Sequence, residues 1–187
     1  MKDERDFVSK NKDVQKQPIE DIQKQLIEAR KPKVSYDEVF VIENNCLTKY
    51  RGCDKDIVIP TGVTAIGSYA FEGRESLTSV TIPEGVTSIG VGAFYDCRSL
   101  KSITIPNGVT TIKVNTFSRC ESLKSITIPE GVTSIGAGAF CCCHSLESIT
   151  IPESLTSIEY EAFEGRDSLS EELRDRIKAI EPFAFEA

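Results

Sequence analysis

The chain has 187 residues, of which 40% are hydrophobic, and its formal net charge is −7. This composition is typical of a single globular domain with its own core. No stretch approaches the ~20 apolar residues of a membrane-spanning helix, so membrane insertion is not expected. Residues 34–187 carry a net charge of −9, which argues against a nucleic-acid partner because such binding relies on phosphate neutralisation by lysine and arginine.

The first residues, Met1-Lys2-Asp3-Glu4, are mostly charged, whereas a secretory signal needs an apolar run of ~7–15 residues here. If the chain is complete, this start predicts a cytoplasmic protein. The seven cysteines are an odd number, and disulfide scaffolds usually have an even number in a much shorter chain. Free thiols in a reducing compartment fit this count better than disulfides.

The N-terminal region differs in charge from the rest of the chain. Residues 1–33 have a net charge of +2 and form one predicted unit, a charged segment with a capping helix. Residues 34–187 form the second unit, a repeat domain of about five repeats and a degenerate sixth. Pro18 is placed to open the helix, and Pro32 follows its end. The apolar positions of this helix are Ile19, Ile22, Leu26 and Ile27.

A β-hairpin is predicted next in the chain. Residues 38–42 and 46–50 are short runs of strand-forming residues, and Asn44 and Asn45 between them are typical turn residues. A repeat domain needs caps, because its terminal coils would otherwise expose apolar surface. We therefore expect the helix and the hairpin to form an N-terminal cap.

An internal repeat of 23 residues dominates the remainder. Its best copies run over residues 76–97, 99–120 and 122–143. A fixed period of 20–50 residues is the signature of solenoid architectures. The dipeptide Ile-Pro recurs at this interval, at residues 59–60, 82–83, 105–106, 128–129 and 151–152.

One repeat shows how each coil is built. Val80 and Ile82 alternate with Ser79 and Thr81, and this period of two predicts a half-buried strand. The proline at 83 lacks an N–H and ends the strand; with it, residues 82–85 suit a type I turn with proline second and glycine fourth. The next apolar residues return to the interior from the convex side. Stacked coils then form a phenylalanine ladder: Phe71, Phe94, Phe117, Phe140, Phe163 and Phe185.

The repeated unit Leu-x-x-Ile-x-Ile-Pro, followed by Val-x-x-Ile-Gly-x-x-Ala-Phe-x-x-Cys, resembles the BspA-type leucine-rich repeats of bacterial surface antigens. The match covers about residues 34–187. The resemblance implies a right-handed leucine-rich-repeat solenoid, with a parallel β-sheet on its concave face and loops and short turns on its convex side. It also implies protein binding or adhesion at the cell surface.

The C-terminus is expected to form a helical cap. Residues 168–171 have the pattern of a capping box, and residues 171–175 replace the usual strand. A short helix there would close the sheet. The repeat is then expected to resume at Ile177 and to end at Phe185.

The outward residues of the concave strands are the first candidate binding surface. Repeat proteins commonly bind through such extended surfaces, although serine and threonine also simply suit exposed strands. The candidate face comprises Ser79, Thr81, Ser102, Thr104, Ser125, Thr127, Ser148 and Thr150. The flanking positions that vary between repeats, and so are candidates for specificity, are Thr78, Lys101, Lys124 and Glu147.

The cysteine and histidine residues predict no metal or catalytic site. Cys97, Cys120 and Cys143 recur at the repeat interval and are expected to be buried. Cys141 and Cys142 adjoin this ladder, but structural zinc sites prefer at least two residues between paired ligands, and consecutive residues point in different directions. His144, the only histidine, occupies a position with a surface pattern. No cofactor is expected either.

Further candidates carry less information. Glu84, Glu130 and Glu153 form a recurring acidic row that favours a solvated face over a site, with weak cation binding as the alternative. Tyr69, Tyr95 and Tyr160 are candidate interface aromatics, with partial packing against the neighbouring coil as the alternative. The sequence therefore predicts a non-enzymatic, monomeric protein-binding scaffold. A surface adhesin or structural module is the alternative, and an enzyme a remote one.

Overall fold

The computed structural model describes residues 39–165 and 169–186. The predicted segment 1–33, with its capping helix, lies outside these residues. The described elements follow one another in this order: β1 (Phe40–Glu43), β2 (Cys46–Tyr50), β3 (Asp56–Val58), β4 (Ala65–Ile66), β5 (Ser79–Thr81), β6 (Ser88–Ile89), β7 (Ser102–Ile103), β8 (Thr111–Ile112), β9 (Ser125–Thr127), β10 (Ser134–Ile135), β11 (Ser148–Thr150), β12 (Ser157–Ile158) and α1 (Glu171–Ile180).

The hairpin is present where the sequence predicts it. β1 and β2 pair antiparallel, and Asn44 and Asn45 take φ angles of 50° and 63°. Both central residues of a type I′ turn need positive φ, and asparagine tolerates this conformation well. β2 also pairs in parallel with β4, so the hairpin joins the repeats through their second strand. Its role as a cap together with the N-terminal helix stays a prediction.

The predicted strands form a parallel stack, the first ladder, made of β3, β5, β7, β9 and β11. Residues 23 apart lie opposite one another, as in Ser125 and Ser148. An isolated bridge between Thr104 and Thr127 links β7 to β9. Within each strand the central Ile or Val is buried while its neighbours face outward. This confirms a parallel-strand solenoid of about five coils.

A second ladder of parallel strands lies on the side where the sequence predicted only loops and turns. Its members β4, β6, β8, β10 and β12 have two residues each, with an isoleucine buried in every one. They pair in two groups, with β4 and β6 following β2 and with β8, β10 and β12 together. The prediction of a convex side without strands was therefore wrong. Strands of two residues are too short to show a period in the sequence.

The turn between the two ladders is shifted by one residue from its predicted position. The N–H of Val86 donates to the carbonyl oxygen of Pro83 at 3.0 Å, so proline is the first residue of the turn and Gly85 the third. The same bond recurs from Val109 to Pro106 and from Val132 to Pro129. Pro83 lies two residues beyond the end of β5, so its carbonyl oxygen is outside the strand ladder and can close the turn.

After the second ladder, each coil alternates its backbone hydrogen bonds. The N–H groups of Ala93 and Tyr95 close turns within their own coil, whereas those of Phe94 and Asp96 reach carbonyl oxygens of the next coil. Two left-handed residues per coil make this alternation possible. They form two columns, Tyr69, Gly92, Asn115, Gly138 and Glu161, and Gly73, Asp96, Arg119, Cys142 and Gly165, with φ between 54° and 71°.

The core is a continuous stack of rings, as the phenylalanine ladder predicts. Phe71, Phe94, Phe117, Phe140 and Phe163 are completely buried, and successive rings lie 5.0–5.6 Å apart between centroids and nearly parallel. Tyr50 extends the stack at one end and Phe185 at the other. The three ladder cysteines are also buried, and each thiol donates to a phenylalanine carbonyl 26 residues earlier, at 3.1–3.3 Å.

A helix replaces the first-ladder strand in the last coil, as predicted, but its limits differ. α1 begins after Ser170, whose hydroxyl oxygen accepts the N–H of Leu173 at 3.4 Å, so the predicted capping box at 168–171 was wrong. Ile177 lies inside the helix as its buried residue, and the repeat therefore does not resume there. The coil resumes after Glu181, where Phe163 donates its N–H to the carbonyl oxygen of Ala184 at 2.7 Å.

Candidate functional site

The outward face of the first ladder carries two columns of hydroxyl groups. Residue pairs 23 apart stand in register across neighbouring strands, about 4.8 Å from one coil to the next. Seven of the predicted face residues are exposed and Ser79 is half-buried. The columns are Ser79, Ser102, Ser125 and Ser148, and Thr81, Thr104, Thr127 and Thr150.

One end of this face is occupied by hydrogen bonds within the protein. The Thr78 hydroxyl donates to a carboxylate oxygen of Asp56 at 2.8 Å, and the Ser79 hydroxyl donates to the same atom at 2.6 Å. These bonds hold the pKa of Asp56 below its usual value. Thr78 is half-buried, so it anchors the first coils and is a weaker candidate for specificity than the exposed residues of its column.

A column of lysines borders the hydroxyl columns. Lys55, Lys101 and Lys124 are exposed and occupy the position directly before the serine column, with Thr78 between the first two and Glu147 at the far end. Backbone bonds from Lys101 to Thr78 and from Lys124 to Lys101 keep this column in register. Among the described residues, no carboxylate forms an ion pair with these three lysines.

A third hydroxyl column, absent from the predicted site, lies beside the second ladder. All five of its members are exposed: Thr64, Thr87, Thr110, Thr133 and Thr156. The recurring Val-Thr pair in the sequence could have revealed it. Hydroxyl groups are therefore common to both ladders, and the lysine column distinguishes the first ladder from the second.

An apolar stripe also runs beside the second ladder, and of its residues only Tyr160 was among the predicted candidates. It consists of Val91, Val114, Ala137, Tyr160 and Phe183, each 23 residues after the last. Tyr160 and Phe183 are 59% and 61% exposed. A shallow pocket of about 190 Å³ opens near its centre, lined by Val91, Thr111, Ile112, Lys113, Val114, Ser134, Gly136 and Glu159.

The two charged residues that line this pocket already form hydrogen bonds within the protein. Lys113 donates to the hydroxyl oxygen of Ser88 at 3.3 Å. A carboxylate oxygen of Glu159 accepts the N–H of Ala137 at 2.8 Å. Tyr69, Tyr95 and Tyr160 occupy three different columns of the repeat; Tyr69 and Tyr160 are exposed and Tyr95 is half-buried.

The remaining candidates lie at the surface of the protein. The predicted acidic row is exposed at Glu84, Glu130 and Glu153, and no group of three potential metal ligands occurs among the described residues. His144 is exposed and follows Glu75, Arg98 and Glu121 in its column. Arg98 forms surface ion pairs with both of those glutamates, at 3.9 Å. Within residues 39–165 and 169–186, the structure contains no helix with the length and hydropathy that a membrane span requires.

Comparisons with solved structures place the coils among bacterial leucine-rich-repeat proteins. A leucine-rich repeat protein from Bacteroides ovatus is 36% identical, with a TM-score of 0.59, over 67% of this chain and 35% of that one. One from Eubacterium ventriosum is 26% identical, with a TM-score of 0.53, over 73% of this chain and 46% of the other. This chain therefore spans about a third to a half of the length of these two relatives.

The leucine-rich repeat protein TpLRR from T. pallidum has the same fold, at 22% identity and a TM-score of 0.55, over 77% of this chain and 94% of that chain. A comparison with curated proteins found no match. The family model for the BspA type leucine rich repeat region matches residues 41–170 in six copies. Since this match covers more than half of the chain and follows the repeat seen in the coils, the protein belongs to the BspA-type leucine-rich-repeat family.

Proposed function

We propose that this protein is a non-enzymatic scaffold that binds a protein partner on the face of the first ladder. Leucine-rich repeats of this family are generally interaction scaffolds, and the lysine column beside the hydroxyl columns is the observation that carries the proposal. Three exposed ammonium groups stand on one edge of this face in a domain whose net charge is −9.

The chemistry of this face favours an extended, acidic segment of the partner. Lysine ammonium groups attract carboxylates, and such charge complementarity guides association and sets specificity. Hydroxyl groups can donate to and accept from a peptide backbone. Because the columns repeat about every 4.8 Å, a segment lying along the solenoid axis would meet an equivalent donor at each coil.

The test compares two sets of substitutions with the same effect on net charge. Lys101→Ser with Lys124→Ser removes two positive charges from the first-ladder face. Thr110→Glu with Thr133→Glu adds two negative charges beside the second ladder, at residues that are also exposed. Immobilised wild-type and variant proteins are exposed to cell lysate and to extracellular matrix proteins, and each captured protein is then titrated by calorimetry.

The expected result is a partner that is lost from the lysine variant and kept by the threonine variant, with an affinity that falls as salt rises. A partner that binds both variants equally would place the binding surface elsewhere. Capture of no protein by the wild-type chain would contradict the scaffold function itself.

A further inference from the structure

Cys141 and Cys142 are brought together by the fold, although consecutive side chains ordinarily diverge. Their sulfur atoms lie 3.4 Å apart. Cys142 belongs to a left-handed column, with φ of 56°, and this conformation turns its side chain towards that of Cys141. Both residues are half-buried, so a small molecule in solution can reach the pair.

A carboxylate from the next coil completes this cluster. Glu164 stands 23 residues after Cys141, and one of its carboxylate oxygens accepts the Cys141 thiol proton at 3.0 Å. Since Cys141 has only this proton to donate, Cys142 is the donor in the contact between the two sulfur atoms. The three groups therefore form a short chain of hydrogen bonds from Cys142 through Cys141 to Glu164.

We propose that Cys141 and Cys142 form a vicinal dithiol site that binds one thiophilic, three-coordinate centre, of which trivalent arsenic is the chemical example. Two sulfur ligands 3.4 Å apart, each bonded at about 2.3 Å, enclose an angle of about 95° at the bound atom. A pyramidal centre with a lone pair accepts such an angle. Tetrahedral zinc prefers about 109° and four ligands.

The fate of the two thiol protons also favours arsenic(III) over zinc as the bound centre. In the hydrogen-bond chain of this cluster, both thiols carry their protons. A zinc ion requires thiolates and releases their protons. An organic arsenic(III) oxide instead condenses with two neutral thiols: two S–H bonds break, two As–S bonds form, and both protons leave with the arsenic-bound oxygen as water. Glu164 accepts the Cys141 proton as the first As–S bond forms and then passes it to that oxygen.

The test uses phenylarsine oxide and the reduced, full-length protein, followed by intact-mass measurement under native conditions. We expect one adduct per chain, formed with loss of one water and mapping to residues 141–142. Two variants should keep the fold, because their new residues already occur in the same columns: Cys141→Ser matches Ser118, and Cys142→Gly matches Gly73 and Gly165. Loss of chelation should weaken binding on the order of a hundredfold in each.

Two further variants sharpen the result. Cys53→Ser removes an exposed cysteine outside the pair and should leave the adduct unchanged. Glu164→Gln should slow adduct formation without changing its stoichiometry. Equal adduct in Cys141→Ser or in Cys142→Gly would overturn the site, as would the absence of any adduct. One equivalent of bound Zn²⁺ that blocks the arsenical would overturn the assignment to a pyramidal centre.

Discussion

The two ladders of the solenoid repeat with the same period, but they differ in how closely their residues approach the neighbouring coil. In the first ladder, the residues on either side of each buried Ile or Val face outward. Within the two hydroxyl columns of the described residues, only Ser79 forms a side-chain hydrogen bond to a neighbouring coil. In the second ladder, the residue after each strand lies so close to the coil before it that glycine recurs there, at Gly67, Gly90 and Gly136. The first ladder can therefore vary its surface chemistry at little cost to the fold.

The exceptions in the second ladder sharpen this contrast. Lys113 and Glu159 occupy the position of these glycines in their own coils. Glu159 keeps the backbone bond to Ile135 at 2.9 Å, whereas β6 and β8, on either side of the Lys113 coil junction, are not paired. Loss of glycine alone therefore does not explain the break, and nothing else in the structure does.

The largest expected effect lies in the core that both ladders share. Phe117→Ala removes a completely buried ring from between two rings whose centroids lie 5.6 Å away, and should lower the free energy of unfolding by ~3–5 kcal/mol. Urea denaturation measures this. Phe183→Ala makes the same change at a 61% exposed side chain and should have little effect. Similar losses for both would contradict the ring stack.

A smaller effect is expected in the second ladder. A Cβ atom at residue 136 would lie 2.6 Å from the backbone nitrogen of Val114 and 2.9 Å from the carbonyl carbon of Lys113, so Gly136→Ala should cost ~1–3 kcal/mol. The control is Gly85→Ala, where the nearest atom would be 3.8 Å away and the change should be neutral or stabilising. Equal stabilities would show that the neighbouring coils can move apart to accept a Cβ atom at this position.

The stability of the protein at alkaline pH tests the end of the second ladder, where Tyr50 lies in β2. The Tyr50 hydroxyl donates to Asp54 at 3.0 Å, and burial together with this bond raises the pKa of Tyr50 from 10.0 to about 12. The folded protein thus holds this proton more tightly, and its contribution to stability is complete below pH 10 and is lost as the pH rises towards 12. Tyr50→Phe should remove this loss from the pH dependence of urea unfolding. An unchanged alkaline profile would argue against the bond.

The smallest effect is expected on the first ladder. Thr127 is exposed and its hydroxyl makes no bond among the described residues, so Thr127→Ala should change the free energy of unfolding by no more than ~0.5 kcal/mol. Urea denaturation beside Gly136→Ala gives the direct comparison. A cost above that of Gly136→Ala would reverse the contrast between the ladders.

Much of the fold could be predicted because the residue pattern within a single repeat indicates the structure of one coil. Val80 and Ile82 alternate with hydroxyl residues, and the phenylalanine of each coil recurs at the same interval, so the strand, the core and the exposed columns followed from local pattern. The predicted face was found exposed, while its binding role remains a proposal. The limits of α1 were harder, because Ile177 suits an amphipathic helix as well as a returning coil.

The sequence by itself determined the period, the first ladder and the ring stack, since a strict 23-residue repeat places identical side chains beside one another whatever the details of the coil. Only the tertiary structure decided the second ladder, the left-handed columns and the meeting of Cys141 with Cys142. These depend on backbone groups of coils that are neighbours in space and 23 residues apart in the chain. A two-residue strand or a positive φ has no periodic signal of its own, so it becomes visible only once the coils are stacked.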